Sequence, residues 1–272
     1  MAKARRQMEA DIKLIDLIIE LTDARIPESG RNPDIDELGR NKARMILLNK
    51  ADLADPAQNE KWIARYREQG IEAIALDARK RNAMKKIEAS VRIACSEKIE
   101  RDRKRGIKNR PIRAMVAGIP NVGKSTFINS FSGKAVTKTG NKPGVTKGKQ
   151  WIRMSKTLEL LDTPGILWPK FEDELVGEHL ALIGSMNDAN LNLDELSLKL
   201  IAFLIDSYPG VLEKRYGVNE GPEIPPVSVL AAIAEARNCI KKGAEIDYTK
   251  AASLLLDEFR GGMLGRISLE WP

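Results

Sequence analysis

The chain has 272 residues, of which 43% are hydrophobic and 31% charged, and its formal net charge is +7. This length accommodates one large domain and a smaller one, in the composition of an ordinary globular protein. The longest apolar stretch is interrupted by Asp16 and Glu20, which argues against a transmembrane helix, and the charged start at Met1 does not resemble a secretory signal. Cys95 and Cys239 are far apart, which argues against a disulfide or metal framework, so a cytoplasmic location is expected.

Three β-rich runs alternate with charged stretches in the first part of the chain. The runs are LIDLIIELTDA (14–24), ARMILLNKAD (43–52) and IEAIALDA (71–78), and the stretches between them have room for crossover helices. A long helix is predicted over 84–105, followed by a strand, a glycine loop and a helix over 112–131. Short apolar runs joined by helical crossovers predict a parallel sheet that is buried on both faces.

The run TLELLDTPG (157–165) predicts a further strand that ends in a loop, and the sequence pattern changes after it. Four later segments have apolar residues at helical spacing, with proline and glycine between them: 168–186, 193–208, 226–240 and 248–259. We therefore expect an α/β fold over residues 1–171, with a mostly parallel six-stranded sheet and helices on both faces. A small all-α domain is expected over residues 172–272.

A phosphate-binding loop is predicted near the middle of the chain. Gly118, Gly123, Lys124 and Ser125 form the pattern Gly-x4-Gly-Lys-Ser, which is the P-loop signature when it lies between a strand and a helix. Glycines let backbone N–H groups point at phosphate oxygens, and the positive end of the following helix adds to the attraction. We expect Lys124 to bridge the β- and γ-phosphates and the Ser125 hydroxyl to bind Mg²⁺. The other loop residues expected at the nucleotide are Asn121, Val122 and Thr126.

Two further segments predict contacts to the γ-phosphate and to the metal. In LLDTPG, the carboxylate of Asp162 is expected to hold Mg²⁺ through its water shell, and the amide of Gly165 is expected to sense the γ-phosphate. In KPGVT, Thr146 is the expected second Mg²⁺ ligand. The candidate catalytic residues are therefore Lys124, Thr146 and Gly165, and the candidate metal ligands are Ser125, Thr146 and Asp162.

The segment LLNKAD ends a predicted strand with a pattern that favours guanine. The two carboxylate oxygens of Asp52 match the N1–H and the exocyclic amine of guanine, and adenine offers no such pair of donors. The amide of Asn49 is expected at N7 and O6 of the base, and the side chain of Lys50 over the base plane. Ala51 completes this base clamp. In a chain that also carries a P-loop and DTPG, the clamp predicts guanine specificity.

The base clamp precedes the P-loop, which reverses the usual GTPase order. The same sheet can form if the chain enters it at another strand, which is a circular permutation. Such rewiring is tolerated because the ends of a compact domain often lie close together. The segment 71–82 then holds the last base-side loop, in which the amide of Ala78 is expected to meet guanine O6. The peptide Asp23–Arg25 has two interpretations, a contact to the switch segments or a salt bridge at a strand end. Because the DTPG loop leads into the helical region, loss of the γ-phosphate is expected to move residues 172–272.

Lysine and arginine cluster at 1–6, 98–110 and 133–149. Each cluster alone is explained as well by a solvated helix face as by an anionic partner, but the three together favour RNA phosphates. Trp151 and Trp168 flank the switch strands, where packing is favoured over contacts to ribosomal RNA.

Over essentially the whole chain, the sequence resembles the circularly permuted ribosome-assembly GTPases of the ribosome biogenesis GTPase A (YlqF) family. The segments that carry the resemblance are DARIPESGRNP, LLNKAD, GIPNVGKST, KTGNKPGVT and LDTPGILWPKFED. The resemblance implies hydrolysis of GTP to GDP with Mg²⁺, late maturation of the large (50S) ribosomal subunit, and contacts from the helical domain to ribosomal RNA. It also implies a potassium ion held by Asn121. A monomer without membrane or DNA partners is expected.

Two departures concern catalysis. Many small GTPases have a water-orienting glutamine directly after the DTPG glycine, whereas this chain has Ile166. The family resembles a group of GTPases that carry a hydrophobic residue at this position. In the family, the candidate to replace this glutamine is a histidine in an N-terminal Pro-Gly-His-Met stretch. This sequence starts at Met1, which corresponds to the methionine of that stretch, so the histidine is not in it. Either the chain is truncated or its hydrolysis is weakened. The open alternatives are a GTPase switch, a GTP-dependent RNA-binding placeholder with negligible hydrolysis, and a mitochondrial homologue. His179, the only histidine, is expected to be a surface or packing residue.

Overall fold

A computed structural model describes residues 2–80, 83–107, 110–132, 150–162 and 173–272. The chain divides into two compact units. The α/β unit comprises Met1–Glu172 together with Glu270–Pro272, and the helical unit comprises Asp173–Leu269. The last three residues thus group with the α/β unit, whereas the sequence analysis assigned them to the helical domain.

The α/β unit alternates strands and helices. Its strands are β1 (Leu17–Asp23), β2 (Ala43–Asn49), β3 (Glu72–Ala75), β4 (Ile112–Ala117), β5 (Gln150–Arg153) and β6 (Leu158–Asp162). Its helices are α1 (Ala2–Ile12), α2 (Pro33–Leu38), α3 (Pro56–Glu68), α4 (Met84–Ala94), α5 (Ser96–Lys104) and α6 (Lys124–Ser132). The β-rich runs of the sequence thus form strands, and the charged stretches between them form helices.

The six strands form one sheet in the order β3-β2-β1-β4-β6-β5. Neighbouring strands are parallel, apart from the antiparallel pair of β5 and β6 at one edge. The first strand of the chain therefore lies in the middle of the sheet, beside the strand that leads into the P-loop. The predicted mostly parallel six-stranded sheet is confirmed.

Helices cover both faces of the sheet. Helices α1, α2 and α3 lie on one face, where two apolar clusters form. The first cluster includes Met8, Ile12, Ile15, Ile18, Ile35, Met115 and Leu161. The second cluster includes Ile46, Leu48, Trp62, Tyr66 and Ala73. On the opposite face α4 packs against β2 and β3, and the hydroxyl of Ser90 donates a hydrogen bond to Glu72 at 2.8 Å. Burying each large apolar side chain stabilises the fold by about 1.5–3 kcal/mol.

Two helices differ from the sequence prediction. The helix predicted over 84–105 is divided between α4 and α5, because Cys95 has φ −104° and ψ 18° instead of helical values. Burial raises the pKa of the Cys95 thiol to about 12, so the group stays protonated at neutral pH. Helix α1 was not predicted, because its charged sequence carries few apolar side chains; Met8 and Ile12, four residues apart, hold it on the sheet.

The helical unit consists of helices packed around α8. Its helices are α7 (Glu174–Leu182), α8 (Leu193–Ser207), α9 (Val211–Tyr216), α10 (Pro226–Ala236) and α11 (Tyr248–Arg260), with a short 3₁₀ helix at Asp188–Asn190. The guanidinium of Arg260 donates to both carboxylate oxygens of Asp188, at 2.7 and 2.8 Å, and to two carbonyls at the end of α7. His179 is buried on α7. Within the described ranges, no helix is long and apolar enough to cross a membrane.

Candidate nucleotide-binding site

The residues predicted to bind a nucleotide lie at the carboxyl ends of the parallel strands. Asn49 ends β2, Ala78 follows β3, and the loop between Gly118 and Lys124 joins β4 to α6. The carboxyl ends of parallel strands meet at one edge of a sheet, where open α/β proteins bind their ligands. The fold therefore collects segments that are far apart in the sequence at a single edge.

The side-chain amide of Asn49 joins three loops at this edge. Its Nδ2 donates to the carbonyl oxygen of Val122 in the P-loop at 2.7 Å, and its Oδ1 accepts from the backbone N–H of Ala78 at 2.9 Å. These partners are 73 and 29 residues away in the sequence, and Asn49 is buried. One N–H of the amide remains for the expected contact with the base. The single N–H of Ala78 already has an acceptor, so the expected donation to guanine O6 requires that bond to be shared or exchanged.

Asp52 has one carboxylate oxygen with a partner and one without. Oδ2 accepts a hydrogen bond from Nη2 of Arg79 at 2.6 Å. Oδ1 is buried and has no hydrogen-bond partner in the described part of the chain. Leaving such an oxygen unpaired costs about 1–3 kcal/mol, and the N–H of a guanine base would supply a donor. Asp52 thus offers a free acceptor for the guanine base that the sequence predicts.

Arg79 connects Asp52 to a second carboxylate and was not among the predicted site residues. Its Nε donates to Oδ1 of Asp77 at 2.9 Å, and this hydrogen bonding lowers the pKa of Asp77. The signal in the sequence was weak, because Asp-Ala-Arg only approximates the Ser-Ala-Lys pattern of other GTPases. Ala51, the third residue of the clamp, donates its backbone N–H to the carbonyl of Leu76 at 3.1 Å, which fixes the clamp to the end of β3.

Lys50 is held by a buried carboxylate at the end of the neighbouring strand. Its Nζ lies 2.9 Å from Oδ2 of Asp23, and the guanidinium of Arg25 also donates to both oxygens of Asp23, each at 2.9 Å. Burial alone would raise the pKa of the Asp23 carboxyl, but the charges of Arg25 and Lys50 hold that pKa well below its usual range. Of the two interpretations of the Asp23–Arg25 peptide, the structure shows the strand-end salt bridge.

The P-loop approaches its neighbours so closely that two glycines are required. Gly123 has φ +97°, and a Cβ added there would lie 2.5 Å from Nδ2 of Asn49. A Cβ on Gly118 would lie 2.4 Å from the carbonyl oxygen of Leu21. Lys124 begins α6 and folds back over the loop, so that its Nζ donates to the carbonyls of Gly118 and Ile119, both at 2.8 Å. The loop can thus lie this close to the ends of β1 and β2 only because these positions have no side chain.

The remaining predicted positions are only partly described. Ser125 and Thr126 lie in the first turn of α6, and Asp162 is the last residue of β6, at the same edge of the sheet. Thr146, Gly165, Ile166 and Trp168 lie outside the described residues. Trp151 is 39% exposed on β5, with the guanidinium of Arg113 5.1 Å from its ring centroid, so it lies at the surface and is not a core packing residue.

The fold and the site define a P-loop GTPase in which the base clamp precedes the phosphate loop. A sequence family described as "50S ribosome-binding GTPase" matches residues 113–231. The protein named Ribosome biogenesis GTPase A from Bacillus cereus is 48% identical over 272 residues, covering 100% of this chain and 92% of that relative. The protein of the same name from Priestia megaterium is 50% identical over 273 residues, covering 100% and 94%. The chain belongs to the ribosome biogenesis GTPase A family.

The fold agrees with a solved structure described as GDP-bound "TM YlqF". The TM-score is 0.70 at 26% sequence identity, and the match covers 98% of this chain and 99% of that chain. Full-length coverage means that the order of parts, with the base clamp before the P-loop, is shared. The bacterial relatives do not favour the alternative of a mitochondrial homologue.

Proposed function

We propose that this chain binds and hydrolyses GTP, and that it acts as a switch in late assembly of the large ribosomal subunit. The observation that supports guanine nucleotide binding is the amide of Asn49, which joins the base clamp, the P-loop and the loop after β3, beside the unpaired Oδ1 of Asp52. The ribosomal role is supported by the family of the chain and by the names of its relatives.

Lys124 supplies positive charge to the phosphates. Its ammonium group is held by the carbonyls of Gly118 and Ile119, and these bonds are exchanged for β- and γ-phosphate oxygens when GTP binds. The lysine then stabilises the negative charge that develops on these oxygens as water displaces GDP from the γ-phosphorus. Thr146 and Gly165 complete the proposed catalytic set. These two residues are proposed from their sequence motifs alone.

Mg²⁺ is a hard cation that prefers oxygen ligands. Ser125, Thr146 and Asp162 are the residues proposed to hold Mg²⁺, which would neutralise phosphate charge. Asn121, whose φ of +59° places it in the tight turn of the P-loop, is proposed to hold K⁺. Hydrolysis should then be faster in KCl than in NaCl at equal ionic strength, and equal rates would remove the potassium ion from the proposal.

The proposed partners are a precursor of the large ribosomal subunit and its RNA, in the cytoplasm. Phosphate release measured with and without large subunits separates the GTPase switch from an RNA-binding placeholder. A switch should turn over faster on the particle, whereas a placeholder should bind the particle in the presence of GTP and release no phosphate above background.

Base specificity is tested with Asp52→Asn. The asparagine amide presents an N–H where the carboxylate accepted a hydrogen bond from guanine, so GTP affinity should fall about 100-fold. Affinity for xanthosine triphosphate should rise, because xanthine has a carbonyl in place of the exocyclic amine of guanine. Calorimetry with both nucleotides measures the two affinities, and Glu68→Gln, an exposed change on α3, is the matched control. Unchanged GTP affinity in Asp52→Asn would remove Asp52 from the base clamp.

A further inference from the structure

The two units carry opposite net charge. Residues 1–172 contain 36 lysines and arginines and 22 aspartates and glutamates, whereas residues 173–269 contain 9 and 15. All the positive excess of the chain therefore belongs to the unit that contains the nucleotide site. Phosphates of an RNA partner are attracted to positive charge, so this distribution favours RNA contacts from the α/β unit, whereas the family resemblance had assigned them to the helical domain.

A cleft of about 1030 Å³ lies in the α/β unit on the side away from the nucleotide. It is lined by the segments that precede β1, β2 and β3, by the α4–α5 bend and by α5. Since β1 has seven residues, the cleft and the nucleotide edge are about 20 Å apart. Eight of the lining residues are lysine or arginine and four are aspartate or glutamate, so the cleft itself is basic.

Most of the acidic side chains in the cleft form an ion pair with a basic neighbour. Lys98 lies 3.7 Å from Asp16 and forms an ion pair with Asp102, and Arg67 lies 3.1 Å from Glu72. Hydrogen bonding from Lys98 lowers the pKa of Asp102, which keeps this carboxylate charged and paired. These pairs involve three of the four acidic residues but only two of the eight basic ones, so the lining keeps an excess of four positive charges (eight minus four).

Four arginines in the cleft make no ion pair within the described part of the chain: Arg40, Arg101, Arg105 and Arg110. All four side chains are exposed. Arg101 and Arg105 are four residues apart at the end of α5, so they lie on the same side of the helix. Arginine presents a planar fork of donors that matches phosphate oxygens, and it keeps its charge at every physiological pH.

We propose that this cleft binds the sugar–phosphate backbone of a ribosomal RNA helix. The proposal rests on the ribosomal role proposed above and adds a second contact surface, distant from the nucleotide. Small-molecule sites are lined mainly by apolar side chains, and protein interfaces are anchored by buried apolar or aromatic ones, whereas the side chains that line this cleft are mainly charged. A group of four arginines without ion pairs in a basic cleft suits a polymer of repeating anions.

Helix α5 offers a matched pair of variants. Arg101→Gln/Arg105→Gln removes two charges from the cleft, whereas Arg103→Gln/Lys104→Gln removes two charges from the same helix outside it. Binding of a fluorescein-labelled 20-base-pair RNA duplex is measured by anisotropy between 50 and 300 mM KCl. At 100 mM KCl the cleft variant should bind about tenfold more weakly, with a salt slope smaller by about 2, and the control variant less than about threefold more weakly.

A second double variant, Arg40→Gln/Arg110→Gln, removes two charges from other segments of the cleft. It should show a similar loss of affinity for the RNA duplex. Both cleft variants should bind GTP as the wild type does, which separates a failure of the cleft from a failure of the GTPase. Equal losses in the cleft and control variants, or no duplex binding by a wild type that binds GTP, would overturn the proposal. So would normal duplex binding with lost co-sedimentation with large subunits, which would indicate a ribosomal protein as the partner.

Discussion

The carboxylate of Asp23 lies 2.9 Å from the ammonium group of Lys50, the lysine of the base clamp. Asp23 ends β1, and it is in register with Asn49 at the end of β2, so the anchor comes from the neighbouring parallel strand. Lys50 has φ +56°, a left-handed conformation that costs roughly 1–2 kcal/mol for a residue with a side chain. The ion pair stabilises that conformation, and we infer that Asp23 positions Lys50 for the nucleotide.

Replacing Asp23 with asparagine should weaken nucleotide binding and destabilise the fold. The neutral amide no longer anchors Lys50, so the affinity for both GTP and GDP should fall about tenfold. Arg25 would remain buried without its counter-charge, which should cost about 3 kcal/mol of unfolding free energy. Calorimetry and urea titration measure the two effects. Wild-type affinity in a variant that is destabilised as expected would mean that Asp23 has a structural role only.

The same carboxylate should make stability depend on acid pH. The pKa of Asp23 in the folded state lies well below its value near 4 in the unfolded chain, so its contribution is complete above about pH 4 and is lost as the pH falls toward the folded-state pKa. The difference in unfolding free energy between the wild type and Asp23→Asn should be constant from pH 7 to 5. It should then shrink by about 1.4 kcal/mol per pH unit below pH 4. A constant difference down to pH 2.5 would contradict this assignment.

Asn49→Ala tests whether one side chain assembles the site. The substitution removes the bonds to Val122 and Ala78 and leaves both backbone groups without that partner. Because each bond is worth about 0.5–1.5 kcal/mol, affinity should fall between about fivefold and 100-fold, and by the same factor for GTP and GDP. A loss confined to GTP would instead indicate a role at the γ-phosphate.

Much of the fold followed from local patterns in the sequence. Short apolar runs with charged stretches between them predicted the parallel strands, and the order of the base clamp and P-loop predicted the permutation. The bend at Cys95 was not predicted, because no proline or glycine interrupts the segment 84–105. Helix α1 was missed because its charged sequence carries few apolar side chains at helical spacing, although its residues favour helix. The contacts of Met8 and Ile12 with the sheet hold it in place.

The sequence analysis predicted candidate site residues but not the contacts between them. The motifs identified Asn49, Lys50 and Asp52 from neighbours in the sequence. Their partners Asp23, Ala78 and Val122 are brought close by strand register and by loop closure, which a local pattern does not encode. The sequence analysis therefore assigned the Asn49 amide to the base alone, whereas the structure also uses it to join loops.

Gly123→Ala should abolish nucleotide binding through a steric effect. The φ of +97° is unfavourable for alanine, and the new Cβ would lie 2.5 Å from Nδ2 of Asn49, which disrupts the bond to Val122. GTP affinity should fall more than about 100-fold. Gly221→Ala is the matched control, because that glycine has no atom within 4 Å of its added Cβ, and the change should alter stability by less than about 0.5 kcal/mol. Retained GTP binding in Gly123→Ala would show that the loop relaxes at this position.

Glu270 ties the end of the chain to the loop that follows β1. Its carboxylate oxygens accept the backbone N–H groups of Glu28 and Ser29 at 2.8 and 3.0 Å, and its carbonyl accepts Nε1–H of Trp62 at 3.3 Å. Glu270→Ala removes both carboxylate bonds, so unfolding free energy should fall by about 1–3 kcal/mol. Hydrogen exchange at the amides of Glu28 and Ser29 should become faster, because they lose their acceptors. Exposed Glu68→Ala is the control and should leave this exchange unchanged; unaltered protection in Glu270→Ala would show that the loop is held without Glu270.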